Sequence, residues 1–157
     1  MKQDENLKIA VFDAGRSLEQ RHCPIDGEKV KNCIGCKTCA IMNGFGGAGA
    51  FSDGKYNITN DFGGTLYEYI GRQKALELMK YVDTINMSHG GEGTKMYSTA
   101  GTDLKKVCLQ NKLKLLDASV RHLGTDVNYV VLKNLYDEMK DHMDFFFDTP
   151  VEKIQVK

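Results

Sequence analysis

Short apolar runs separated by glycine-rich and polar segments dominate the hydrophobic pattern of this chain. Residues 7–12 form such a run and end at Asp13, which predicts a strand with a sharp exit. Residues 113–120 alternate between apolar and polar side chains, as a half-buried strand does. Two further apolar runs, at residues 145–147 and 151–156, predict strands on either side of Pro150.

Helical periodicity appears in three other segments. Residues 65–81 carry apolar side chains at helical spacing, with a break at Gly71. Two more helices have candidate N-caps, at Thr102 or Asp103 and at Thr125 or Asp126. The glycine-rich residues 88–94 predict a flexible loop.

Length and charge narrow the class of protein. The chain has 157 residues, the size of one domain, and 21 basic residues balance 21 acidic ones. A nucleic-acid-binding protein needs a basic surplus for its phosphate contacts, so we expect no nucleic-acid partner. No apolar run reaches the roughly 18–20 residues of a membrane helix, and residues 1–6 lack the apolar core of a signal peptide. These observations predict a cytoplasmic protein without a membrane partner.

Four of the five cysteines fall within seventeen residues, at Cys23, Cys33, Cys36 and Cys39. In a reducing compartment such clustering indicates metal or redox chemistry before disulfides. Four thiolates suit a tetrahedral zinc ion or an iron–sulfur cluster, and His22 is able to replace one thiolate at zinc. Free thiols without a metal are the third alternative. Cys108 lies at an apolar position of a helical stretch and is expected to be a small buried hydrophobe.

A glycine-rich segment follows the cysteines. Residues 44–49 match the pattern G-x-G-x-x-G, but a dinucleotide fingerprint must follow a strand and open a helix. Here the glycines follow the cysteine-rich loop and lead into turn residues, so we reject the Rossmann interpretation of these glycines. Two alternatives remain, a surface loop and a backbone cradle that grips a phosphate or the edge of a flavin.

Three segments together resemble the family of FAD-dependent oxidoreductases, or NAD(P)/FAD-dependent dehydrogenases. Residues 46–55, GGAGAFSDGK, look like its signature, and Asn-Ile-Thr-Asn at 57–60 resembles a related flavoprotein group. Residues 11–16 resemble the second strand of its Rossmann domain, and residues 122–126 its His-hydrophobe-Gly-Thr-Asp segment. The resemblance implies an α/β fold, with a partial FAD-binding Rossmann-like domain and part of an α+β substrate domain.

The resemblance also implies roles for individual residues. Asp13 would accept the ribose hydroxyls, the glycines would let the backbone approach the flavin, and the arginines would lie against adenine or pyrophosphate. The catalytic candidates are Lys55, beside the reduced flavin, and His122 as an acid or base, with His89 in a similar setting. The implied cofactor-binding residues are Asp13, Gly15, Arg16, Arg21, Gly46, Gly47, Gly49, Ser52, Asp53 and Lys55.

Members of the family begin with a strand and a true G-x-G-x-x-G turn before the acidic residue, so the resemblance implies that this chain is an internal piece. We expect residues 1–64 to form a partial FAD-binding region with the cysteine cluster. Residues 65–157 are expected to form the helical and α+β part of the substrate and FAD domain, in one compact unit with the first region. The expected function is flavin-mediated redox chemistry on a small molecule. We expect weak FAD binding or none by this chain alone, unless a complementary chain supplies the missing strand. The alternatives are a small non-catalytic metal-binding module and a non-functional fragment.

Overall fold

A computed structural model describes residues 6–156 of the chain. The first five residues, and with them most of the segment in which the sequence predicts no signal peptide, lie outside the described residues. Within the described part, no helix has the length and apolar character needed to cross a membrane. The chain forms two compact units, one with the residues up to Ser52 and from Leu132 onward, the other with Asp53–Val131. The sequence-based boundary after residue 64 lies inside the second unit.

The first unit is built on a parallel pair of strands. Strand β1 (Ala10–Phe12) pairs with β5 (Asp144–Phe146), with Val11 opposite Phe145. The aromatic rings of Phe45, Tyr136 and Phe145 meet edge to face, with centroids 5.1–6.0 Å apart, and form an aromatic cluster. Short 3-10 turns lie at Leu18–Gln20 and Gly47–Phe51.

The second unit contains an antiparallel sheet. Strand β4 (Ser119–His122) lies between β2 (Lys55–Ile58) and β3 (Met96–Ser98). Helices α1 (Leu66–Ile70), α2 (Arg72–Asn86) and α3 (Leu104–Gln110) complete this unit, and α2 leads into one wide turn over Met87–Gly91. Helix α4 (Thr125–Lys140) includes the boundary between the units, which falls after Val131.

The helix predictions are confirmed in type and place. The break predicted at Gly71 separates α1 from α2, because Gly71 has φ 85° and ends the first helix. Helix α3 begins directly after Asp103, which is its N-cap residue as predicted but makes no capping hydrogen bond with its side chain. Helix α4 begins at Thr125, so the candidate N-caps Thr125 and Asp126 are helical residues and that N-cap prediction is wrong. Helix α2 extends five residues past the predicted end at residue 81, to Asn86.

The strand predicted at residues 145–147 is confirmed as β5 (Asp144–Phe146). Other strand predictions need correction. The first strand covers only Ala10–Phe12, and the strand expected at 113–120 is displaced to Ser119–His122, where it pairs with both β2 and β3. Residues 151–156 form no strand, and their apolar side chains Val151, Ile154 and Val156 are 61–93% exposed. The segment at 88–94, predicted to be a flexible loop, begins within the wide turn at Met87–Gly91, in which His89 and Gly90 have non-helical backbone angles. Helices and strands together confirm a mixed α/β class.

Candidate functional site

Asp13 lies where β1 ends, the edge of a parallel sheet at which α/β proteins bind ligands. Its amide donates to the carbonyl of Phe146 at 3.0 Å, and its own carbonyl accepts from Thr149 at 2.9 Å. Its side-chain Oδ1 accepts the amide of Gly15 at 2.7 Å. A carboxylate has about four acceptor positions, and the Gly15 amide occupies one of them, so the Asp13 side chain is still able to accept a hydrogen bond from a ligand hydroxyl.

Gly15 and Gly44 mark a close crossing of two backbone segments. A Cβ at Gly15 would lie 2.4 Å from the amide nitrogen of Gly44, and a Cβ at Gly44 would lie 2.5 Å from the carbonyl oxygen of Arg16. The amide of Phe45 also donates to that carbonyl, at 3.1 Å. The predicted cofactor-binding residue Gly15 therefore brings the exit of β1 against the glycine-rich segment. Its contact with a cofactor stays a prediction.

Arg21 is the buried centre of the loop that follows the cysteines. Only 5% of the residue is exposed, and its guanidinium donates to the carbonyls of Ala40 (2.9 Å), Ile41 (2.7 Å) and Phe45 (2.6 Å). It also lies over the ring of Phe51, 4.8 Å from the centroid. Burial lowers the pKa of this guanidinium from its ordinary value. The structure gives Arg21 the role of holding the loop in shape, and its contact with adenine or pyrophosphate stays a prediction.

Arg16 lies in a more open setting. Its side chain is 60% exposed and approaches the carboxylate of Asp148 at 3.6 Å. Both residues line a cavity of about 430 Å³ together with His22, Cys36 and Lys37. This cavity brings basic side chains to the ends of β1 and β5, which suits an anionic group.

The glycines of residues 44–49 differ in their surroundings. At Gly46 a Cβ would lie 3.0 Å from Leu132 Cδ1, so tight packing accounts for this glycine. At Gly47 and Gly49 a Cβ would meet nothing within 4 Å. Ser52 donates its hydroxyl to the carbonyl of Gly49 at 2.8 Å and closes the 3-10 turn. A ligand is thus able to approach the backbone at Gly47 and Gly49.

A cavity of about 440 Å³ lies beside these glycines, inside the first unit, and we call it the Asp13 cavity. Val11 and Asp13 border it at the end of β1, and residues 42–47 form another wall. Met42, Met139, Met143 and Phe145 give it apolar surface. Ligand pockets combine such apolar walls with a few polar groups, and their volumes run from about 300 to 1,000 Å³.

The second unit brings together three other predicted residues. Lys55 Nζ lies 2.6 Å from Asp53 Oδ2, and His122 is directly opposite Lys55 in the β2–β4 ladder. The hydrogen bond from Lys55 lowers the pKa of the Asp53 carboxyl, and the nearby His122 lowers it further. The ammonium of Lys55 is therefore paired with a carboxylate. Its proposed action on reduced flavin stays a prediction, as does acid–base chemistry by His122.

The four clustered cysteines do not converge. In residues 6–156 no group of three or more His, Cys, Asp or Glu side chains is arranged to hold a metal ion. Cys33 and Cys36 are exposed, and Cys23 and Cys39 are half-buried. A turn at Asp26 organises the segment instead, because Asp26 Oδ1 accepts the amides of Glu28, Lys29 and Val30 at 2.8–2.9 Å. The arrangement described here does not fit zinc or a cluster, and the metal site stays a prediction.

Two features escaped the sequence analysis, an ion pair and a cavity around Asn60, a residue noted there only as part of the motif at 57–60. Arg121 and Asp83 form a bidentate ion pair at 2.8–3.0 Å, with side chains only 14% and 11% exposed. Asn60 is 6% exposed and lines a separate polar cavity in the second unit. The partners of both lie far away in the sequence, so no local pattern signals either one.

Comparison with protein-family models, with curated proteins and with solved structures finds no match for this chain.

Proposed function

We propose that this chain is part of a flavin-dependent oxidoreductase and that its first unit contributes to the FAD site. The observation that carries the proposal is the Asp13 cavity, in which a carboxylate at the end of a parallel strand borders the glycine-rich segment. Cofactors of α/β proteins bind at this edge of the sheet, with an acidic residue on the ribose. The resemblance of residues 46–55 to the family signature supports the same assignment.

Each part of the cavity has a task in this proposal. The carboxylate of Asp13 accepts hydrogen bonds from ribose hydroxyls while Oδ1 retains the amide of Gly15. The backbone at Gly47 allows close approach, and the methionine and phenylalanine side chains cover an aromatic ring and exclude water. Bound FAD supplies electron and hydride transfer at its flavin ring. Arg21 keeps the loop of residues 40–45 in the shape that borders the cavity.

A complementary chain belongs to the same proposal. Parallel sheets ordinarily have both faces covered, whereas Phe12 and Phe146 stack at 5.0 Å and remain 52% and 46% exposed. We propose that a polypeptide with a G-x-G-x-x-G strand–helix turn covers this face and supplies the amides for the pyrophosphate. Adding such a polypeptide should increase the affinity for FAD. Unchanged affinity would refute this part of the proposal.

Titration of the full chain with FAD, followed by flavin fluorescence, tests the cofactor assignment. We compare Asp13→Asn with Asp144→Asn, an equal change of charge at an exposed position of β5. Asparagine retains an oxygen for the Gly15 amide but loses the charge, so Asp13→Asn should weaken binding about tenfold or more, at roughly 1.5–3 kcal/mol per charged hydrogen bond. Asp144→Asn should leave the affinity unchanged. Absence of saturable binding up to about 1 mM FAD both without and with the complementary polypeptide, or equal affinity of the two variants, would overturn the proposal.

A further inference from the structure

Helix α3 and the residues that follow it present apolar side chains to solvent, and we call residues 104–116 the α3 surface. No residue of α3 is buried. Five large apolar side chains of the α3 surface are 40–65% exposed: Leu104, Val107, Leu109, Leu113 and Leu116. A helix of only seven residues is marginal in water by itself, because proteins stabilise short helices by packing an apolar face. The apolar side chains of α3 are therefore suited to a partner.

A left-handed turn folds the chain back onto the end of α3. Lys112 has φ 58°, and its amide donates to the carbonyl of Leu109 at 3.1 Å. The amide of Leu113 donates to the carbonyl of Cys108 at 2.8 Å, which completes a Schellman motif. Leu109 and Leu116 line one cavity of about 290 Å³. The α3 surface is therefore continuous from the helix to Leu116.

The α3 surface has a positive charge, although the whole chain has a net charge of zero. It contains no acidic residue and four exposed lysines: Lys105, Lys106, Lys112 and Lys114. Asp103 and Asp117 flank it, so four lysines against two aspartates leave a surplus of two positive charges over residues 103–117. Asp117 pairs with Lys105 at 2.7 Å. Within the described part of the chain, no carboxylate forms an ion pair with the other three lysines.

Exposed apolar side chains interspersed with lysines favour a lipid surface as the partner. Lysine is depleted in protein–protein interfaces, and two copies of the α3 surface would bring like charges together. An anionic membrane accepts both kinds of side chain, because apolar groups enter the boundary of the acyl chains while lysine stems extend to the headgroups. The sequence-based expectation of no membrane partner rests on the absence of a spanning segment and of a signal peptide. Neither absence bears on a helix that lies in the membrane interface.

We propose that the α3 surface binds an anionic membrane. Its exposed leucines enter the lipid, and Lys106, Lys112 and Lys114 contact the acidic headgroups. Each lysine near such a membrane strengthens binding about fivefold. The α3 surface lies entirely within the second unit and does not depend on the FAD assignment. Failure of one proposal therefore leaves the other standing.

Co-sedimentation of the full chain with lipid vesicles tests the proposal. One vesicle contains phosphatidylcholine and phosphatidylserine in equal amounts, and the other contains phosphatidylcholine alone. The chain should bind the anionic vesicles at least about tenfold more tightly than the neutral ones. Raising the salt concentration from about 0.05 M to 0.5 M should weaken this binding, because salt screens the lysines. Equal binding to the two vesicles, or no binding to the anionic vesicles at about 1 mM lipid, would overturn the proposal.

Variants at exposed positions test the two kinds of side chain separately. The double variant Lys106→Gln with Lys112→Gln should weaken binding to the anionic vesicles about tenfold or more. Leu109→Gln should weaken the same binding about threefold or more, because its side chain no longer gains burial in lipid. Glutamine retains helix propensity and length in each case, so the fold of α3 should persist.

Two control variants match these changes elsewhere in the chain. Lys29→Gln with Lys31→Gln removes two exposed positive charges, and Leu7→Gln removes a leucine that is 53% exposed. Neither control should alter vesicle binding. Equal weakening by a control and its matched variant would contradict the assignment to the α3 surface.

Other occupants of the α3 surface would give different results. A chain that is dimeric in solution and becomes monomeric in Leu109→Gln would show that a second copy covers this surface. Poly-glutamate represents an acidic protein, and its binding in the absence of vesicle binding would assign the surface to such a partner if Leu109→Gln and Lys112→Gln both weaken it. Either result would refute the membrane proposal.

Discussion

Replacing Arg21 by methionine tests whether the loop of residues 40–45 depends on one buried guanidinium. The replacement removes three hydrogen bonds of 2.6–2.9 Å to backbone carbonyls and the cation that lies over Phe51. A hydrogen bond to a charged group contributes roughly 1.5–3 kcal/mol, but three bonds from one group are not additive and methionine recovers apolar contact. We therefore expect a loss of about 3–5 kcal/mol in the free energy of unfolding.

Urea denaturation followed by far-ultraviolet circular dichroism measures this loss. The melting temperature should fall by about 6–20 °C, at roughly 2–4 °C per kcal/mol for a chain of this size. Arg21→Lys should show most of the loss expected for Arg21→Met, because one ammonium cannot span three carbonyls as a planar guanidinium does.

Arg16→Met is the matched control, since Arg16 is 60% exposed and its contact with Asp148 is 3.6 Å long. Exposed pairs contribute about 0–1 kcal/mol, so the control should stay within that range. Equal stability of the Arg16 and Arg21 variants, or full stability of Arg21→Lys, would refute the assignment of Arg21 as the centre of the loop.

Three further predictions concern the glycine crossing, the Asp53 carboxyl and the cysteines. Gly15→Ala should destabilise the chain by more than about 3 kcal/mol because its Cβ would lie 2.4 Å from backbone, whereas Gly49→Ala, with open space, should cost less than about 1 kcal/mol in urea denaturation. Lys55→Met should raise the pKa of Asp53 towards its ordinary value in a carboxyl NMR titration. Because the folded-state pKa of Asp53 is lowered, its pair with Lys55 stabilises the folded chain fully above the unfolded-state pKa of about 3.9. This stabilisation is lost as pH falls through the lowered folded-state pKa. An unchanged pKa of Asp53 in Lys55→Met would contradict the role of Lys55. If Cys23, Cys33, Cys36 and Cys39 bind zinc or iron, elemental analysis should find the metal in protein that is purified anaerobically. Cys36→Ser should then destabilise the chain more than Cys108→Ser, because metal binding contributes folding free energy. Metal-free protein with five reactive thiols would refute the site.

Local chemistry sufficed to predict the helices. Gly71 interrupts a helical pattern because its φ of 85° suits a glycine, and the position is readable from sequence alone. Thr125 likewise marks the start of α4 before an apolar periodic stretch. In both cases the signal and the structure it determines lie within a few residues.

Strands depend on pairing partners that lie far away in the sequence, and several of the sequence-based strand predictions are wrong. Lys55–Ile58 lies in a segment rich in glycine and asparagine, yet it forms β2 because Ser119–His122 pairs with it along its whole length. Residues 151–156 have a better strand pattern and form no strand, since no partner pairs with them in the described structure. The strand propensity of a segment is a weak predictor of a β-strand, because the strand also needs a partner from another part of the chain.

The glycines of residues 44–49 also depend on contacts that lie far away in the sequence. For residues 44–49 the sequence leaves open both a surface loop and a ligand cradle, and packing in the structure already explains part of the run. Gly44 is required by the carbonyl of Arg16, and Gly46 by the side chain of Leu132. Gly47 and Gly49 face open space, so neither packing contact accounts for them. Gly47 has φ 55°, a left-handed conformation that favours glycine without any ligand. At Gly49 neither packing nor a positive φ requires glycine, so this is the position that a functional explanation of the segment has to account for.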